Sequence, residues 1–119
     1  MGQYFLVVNL TKKEFIHPHK FGDGLKLLEF GCSADGTMTA LTLLLRQSSE
    51  GGGGDYSGDN PKVGSWAGDK IVIVGDYDDS KLFEKADKIF KDVSEEILEA
   101  FKDNAYLKQH YDEIKKARE

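Results

Sequence analysis

Four short stretches hold the side chains best able to do chemistry. In His17-Pro18-His19-Lys20-Phe21-Gly22-Asp23-Gly24 the two histidines alternate along an extended backbone and point the same way, as two ligands of a divalent cation would, with Asp23 as a third. The set lacks a third histidine or a helical His-Glu-x-x-His pair. The plainer reading therefore leads: Gly22 and Gly24 permit a turn, Asp23 caps the helix that follows, and no metal or other cofactor is expected. Gly22-Asp23-Gly24 also begins a dinucleotide-type fingerprint, but Leu27 stands where the next glycine is needed, and no Walker pattern occurs.

Anion chemistry is the second possibility. The first helix start is flanked by His17, His19 and Lys20, and the second falls at Asp35-Gly36-Thr37-Met38-Thr39, where free N–H groups and the hydroxyls of Thr37 and Thr39 can receive an anion. Asp23 and Asp35 oppose it, because a carboxylate already stands at each dipole end. In the third stretch, Gly64-Ser65-Trp66-Ala67-Gly68-Asp69, the single tryptophan is either a stacking platform or a lid on the core, and Ser65 lacks a nucleophile elbow. Asp76, Asp78 and Asp79 form the fourth, read as helix-capping carboxylates rather than a calcium loop, which would need a glutamate at its twelfth place. The candidate ligand-binding residues are thus His19, Lys20, Thr37, Thr39, Ser65 and Trp66, with no catalytic residue assigned.

The elements that must position these groups are legible in outline. Gln3 to Asn9 is rich in aromatic and β-branched residues, the pattern resumes at Glu14-Phe15-Ile16-His17, and Pro18 ends it, which predicts a hairpin over about 3–17. Asn9-Leu10-Thr11 matches a glycosylation acceptor but reads as the turn between the strands. Ile71-Val72-Ile73-Val74, apolar without alternation, predicts a central strand over about 70–75, buried on both faces. Helices are predicted over about 24–30, 36–47, 80–102 and 105–117; the third has an apolar stripe at Leu82, Ala86, Ile89, Val93 and Ile97 and room for a bend near residues 92–94. The fold class is α+β, a small, mainly antiparallel sheet packed by helices. One domain spans 1–119, with a mobile glycine-rich loop at about 48–60 that takes five of the chain's 13 glycines.

Composition removes several function classes. Cys32 is the only cysteine, so an internal disulfide framework is impossible, and with no signal-peptide pattern at the start a reducing, cytoplasmic location is expected. The formal charge is -5, and both halves are net negative, with five basic against seven acidic residues up to position 60 and eleven against fourteen beyond it. That balance opposes binding to nucleic acid, and no apolar run approaches a membrane span.

Taken together, Gly2-Gln3-Tyr4-Phe5, the run from His17 to Leu27, Asp35-Gly36-Thr37-Met38-Thr39 and Gly64 to Asp69 resemble a group of short uncharacterised bacterial and phage proteins. The likeness covers about residues 1–78 and implies a prokaryotic or viral origin without supplying an activity. Three functions follow as expectations. The first is a non-enzymatic binding protein, a phage-type inhibitor of a host protein or a sequestering agent for a small polar or phosphorylated ligand near His19, Thr37 and Trp66. The second is a metal-assisted hydrolase built on His17, His19 and Asp76. The third is a homo-oligomer formed through the C-terminal helices, with Tyr106, Leu107 and Tyr111 as contacts.

Overall fold

Strand β1 (Phe5–Asn9) organises everything else. In the computed structural model, which describes residues 2–32, 35–48, 56, 60–104 and 107–118, it pairs antiparallel with β2 (Glu14–Ile16), Val7 opposite Ile16 and Asn9 opposite Glu14. The turn between them is closed by a side chain: Asn9 Oδ1 accepts the Lys12 N–H at 2.9 Å, three positions on, and the chain continues into a left-handed Lys13 (φ 56°). Most of the predicted 48–60 loop lies outside the described residues.

β3 (Ile71–Gly75) adds antiparallel to the other side of β1, and the two-residue β4 (Lys91–Asp92) adds parallel to β2, giving the order β3-β1-β2-β4. The chain is therefore an α+β protein with a mixed, mainly antiparallel sheet. The expectation that 70–75 is the central strand is corrected: β1 is central, with Leu6, Val7 and Val8 fully buried, and β3 is an edge. An unbroken apolar run reports that both faces of a strand are covered. It carries no information about whether a neighbour stands on each edge.

Both faces of the sheet carry a core, but the expected burial of 70–75 on both faces is corrected as well: in β3 Ile73 is 43% exposed and Ile71 and Val72 are only half-buried. Leu6, Val8, Phe15 and Val74 point to one side of the sheet, where they meet Ala86 on α3 (Leu82–Ile89). Val7 and Ile16 point to the other and meet a larger core, to which α1 (Leu27–Gly31) gives Phe30, α2 (Thr37–Leu45) gives Leu41 and Leu44, and α4 (Ser94–Ala100) gives Ile97 and Leu98. The last helix, α5 (Lys108–Arg118), follows the buried Leu107.

This division explains why the predicted helix over 80–102 is two helices. Its apolar stripe serves two cores on opposite sides of one sheet: Leu82, Phe83, Ala86 and Phe90 belong to one, Val93, Ile97 and Phe101 to the other. Between them the chain crosses the sheet edge, where the Lys91 N–H bonds Lys13 O at 3.1 Å and the Val93 N–H bonds Phe15 O at 3.0 Å. Asp92 Oδ1 accepts the Ser94 N–H at 2.9 Å and starts α4 afresh.

Two further expectations change. Asp23 does not cap the helix next to it; its Oδ2 accepts the N–H of Thr37 at 2.7 Å, fourteen positions away, and so caps α2. Leu107 is fully buried within its own chain and Tyr111 packs on the same core, so these two contacts expected for an oligomer are spent internally, while Tyr106 lies outside the described residues. Among the described residues no helix is long and apolar enough to cross a membrane.

Candidate functional site

The six candidate residues fall at three separate places. Ser65 and Trp66 line one cleft. The Gly64 and Trp66 N–H groups donate to the Leu43 and Leu44 carbonyls, each at 2.9 Å, satisfying acceptors that α2 leaves open at its C-terminus. This anchoring sinks Trp66 to 2% exposure and lets its indole N–H donate to Glu14 Oε1 at 3.0 Å. The cleft beside it, which also reaches Lys12 and Lys62, has a volume of about 90 Å³. Typical small-molecule sites run to roughly 300–1,000 Å³. Its charges are already engaged, Lys12 with Asp69, and Lys62 with Glu96 at 3.5 Å.

His19 and Lys20 lie on the other side of β2's end, in a 3-10 turn over Pro18–Phe21. The His17 N–H donates to Ser94 Oγ at 2.8 Å, the His17 and His19 rings stand 5.3 Å apart, and Lys20 Nζ is 2.9 Å from Asp92 Oδ2 and 3.9 Å from Glu95. Lys20 is thereby tied to the start of α4. Thr37 is fully buried at the third place, under the Asp23 carboxylate that occupies the α2 N-terminus, with Thr39 half-buried one turn position on. A carboxylate on that dipole end excludes an anion from the same spot by charge and by space.

The groups named for a hydrolase are also apart. Asp76 follows β3 and accepts the Tyr4 N–H at 3.1 Å, and strand β1 stands between it and His17. Among the described residues no group of three or more His, Cys, Asp and Glu side chains is placed to hold a metal ion. Asp78 and Ser80 work as capping groups: Asp78 Oδ2 accepts the Ser80 N–H at 3.0 Å, and Ser80 Oγ accepts the first N–H of α3 at 3.2 Å.

The histidine turn has a consequence for pH. Burial first, and the neighbouring His19 second, hold His17 below its ordinary 6.5, and its buried Nδ1 has no hydrogen-bond partner. Burial pushes Asp92 up, but hydrogen bonds from the Ser94 hydroxyl and N–H and from Lys20 outweigh it and hold Asp92 below 3.8. Both groups bind a proton more readily in the unfolded chain, so each contributes stability that is lost on acidification. For His17 the loss begins as pH falls below 6.5, and for Asp92 below 3.8. Thermal midpoints should therefore decline between pH 7 and 5, and His17→Asn should flatten that segment while leaving the decline below pH 4. An unchanged slope between pH 7 and 5 in the variant would remove His17 from the account.

The open edge of β3 was not foreseen. Leu10 N–H to Lys70 O and Asp76 N–H to Tyr4 O, both 2.9 Å, frame its register on β1, so residues 70, 72, 74 and 76 turn their backbone groups toward β1. By alternation the N–H groups of Ile71, Ile73 and Gly75 turn outward. Among the described residues no strand meets them there. A groove of about 500 Å³ runs along this edge, lined by Phe5, Val72, Ile73, Tyr77 and Leu82 among others, with Ile73 43% and Tyr77 60% exposed. The opposite edge, β4, is two charged residues long, the usual way of blunting a sheet. Within Ile71–Gly75 there is no charge, proline or bulge to blunt β3. The sequence signal is the apolar run itself, which speaks for the faces of the strand and not for its edges.

No family model matches this chain, and no curated protein or solved structure is similar to it at a significant level.

Proposed function

We propose that this chain is a small cytoplasmic binding protein without catalysis of its own, and that it holds a protein partner by receiving an extended segment on the open edge of β3. One observation carries the reading: among the described residues no strand pairs with the outward N–H groups of Ile71, Ile73 and Gly75, which lie along a largely apolar groove. Strand addition draws affinity from main-chain hydrogen bonds and specificity from alternate side chains. The resemblance to short bacterial and phage proteins would add a host protein as an alternative occupant by association only. Sequestration of a small polar or phosphorylated ligand has less support, because the Trp66 cleft is small and its charges are engaged, while Asp23 fills the α2 N-terminus.

Panning a displayed library of random dodecapeptides on the immobilised chain tests the reading. Selected peptides should protect the Ile71 and Ile73 amides from hydrogen exchange. They should lose binding to Ile73→Pro, which removes an outward N–H that β1 does not use and is tolerated on an edge strand. Retention of the Trp66 emission maximum verifies the variant's fold. Binders indifferent to Ile73→Pro, or failure to select any binder on a chain that sedimentation shows to be monomeric, would refute strand addition.

A further inference from the structure

We infer that a second copy of this chain occupies the β3 edge, paired antiparallel about a two-fold axis at Ile73 and joining two four-stranded sheets into one of eight. The inference rests on the reading of β3 as a docking strand and names its occupant. Three features of the strand point to it.

The first is parity. Outward backbone groups belong to odd-numbered residues, so two copies can pair only with odd residues facing odd residues in the hydrogen-bonded positions. A two-fold at Ile73 meets this condition, setting Ile73 against itself and Ile71 against Gly75 of the second copy along the full length of Ile71–Gly75. The second is charge. In that register Lys70 stands opposite Asp76 of the second copy, twice by symmetry, at the narrow non-hydrogen-bonded positions where side chains come closest. Moving the axis by one residue sets an apolar side chain against a charge instead: Val74 against Lys70, or Val72 against Asp76. Parallel pairing brings Lys70 toward Lys70 and Asp76 toward Asp76. The third is shape: the groove along this edge is open and lined mainly by apolar side chains, with Gln3 and Asp78 as its polar members, and Ile73 is 43% exposed.

Cross-linking tests the register. In a Cys32→Ser background, which removes the exposed native thiol, Ile73→Cys places two thiols on residues whose Cα atoms would be about 5.5 Å apart, within disulfide reach. Ile71→Cys places them four residues out of register, roughly 14 Å apart. Oxidised glutathione should therefore convert the Ile73→Cys chain to a covalent dimer and leave the Ile71→Cys chain monomeric. In sedimentation, Lys70→Asp should weaken self-association about tenfold, since each of two pairs turns from attraction to repulsion, and adding Asp76→Lys should restore it. Equal cross-linking at 71 and 73, or a wild-type chain that stays monomeric up to millimolar concentration, would overturn the inference. A foreign peptide that protects Ile71 and Ile73 in a monomeric chain would overturn the second copy as occupant and leave strand addition standing. Slow exchange of those two amides in the dilute monomer would overturn both.

Discussion

Alanine at position 64 is expected to lower the unfolding free energy by about 3 kcal/mol, of which about 1–2 is the cost of a left-handed backbone for a residue with a Cβ. Gly64 has φ +76°, and a Cβ there would sit 2.4 Å from the Arg46 carbonyl oxygen, a backbone atom that cannot swing aside. Relief requires the segment to lift from the end of α2, and that segment carries the bonds from Gly64 to Leu43 and from Trp66 to Leu44. Gly68 supplies the control. Its φ is +83°, but a Cβ would meet nothing within 4 Å, so Gly68→Ala should cost only the strain, about 1 kcal/mol. Urea unfolding followed by Trp66 emission compares the two. Equal costs would show that the close approach to Arg46 contributes nothing.

Aspartate at position 9 should cost more, about 3–5 kcal/mol at pH 7, the usual price of a buried charge without a partner. Asn9 is fully buried and works at both ends of its amide: Oδ1 accepts the Lys12 N–H, and Nδ2 donates to Asp69 Oδ2 at 2.8 Å. Hydrogen bonds from Asn9, then from Lys12, hold the Asp69 carboxyl below the ordinary carboxylate range. A carboxylate in place of the amide keeps the first bond and turns the second into repulsion. The new acid must then titrate above its unfolded value near 3.9. A raised acid pKa means that the folded state holds the extra proton, so the penalty relative to wild type should shrink as pH falls toward 4. Chemical denaturation at pH 7 and pH 4.5 measures the difference. A penalty independent of pH would mean that the site relaxes to separate the charges.

The local elements were legible because local chemistry sets them: the hairpin from two β-rich runs stopped by Pro18, and α2 from its apolar spacing at Met38, Leu41 and Leu44. What escaped depends on partners remote in sequence. Helix spacing recorded that Ala86 and Ile97 are apolar but not that they face opposite sides of the sheet. Asp23 was recognisable as a cap by its type, while the helix it caps begins at Thr37. Asn9 showed only an acceptor motif and a turn, because its bond to Asp69 spans sixty positions.

The candidate site divides in the same way. The side chains of His19, Thr37 and Trp66 suggest chemistry by their type alone, and the structure places them on separate elements, with Trp66 and Thr37 buried. The β3 edge offers peptide N–H and C=O groups, which every residue except proline possesses. No residue letter marks such a site; the topology does, leaving one edge of Ile71–Gly75 without a neighbouring strand among the described residues.

Site-resolved amide hydrogen exchange on β3, in a dilute sample and again at high concentration, therefore tests the proposal most directly. In the dilute chain exchange should alternate, with Val72 and Val74 slow because they bond to β1 and Ile71 and Ile73 fast because they face outward. Concentrating the chain should slow Ile71 and Ile73 selectively. Slow exchange at all four residues in the dilute chain, or fast exchange of Ile71 and Ile73 at every concentration and with every selected peptide, would contradict the claim that β3 is a docking strand.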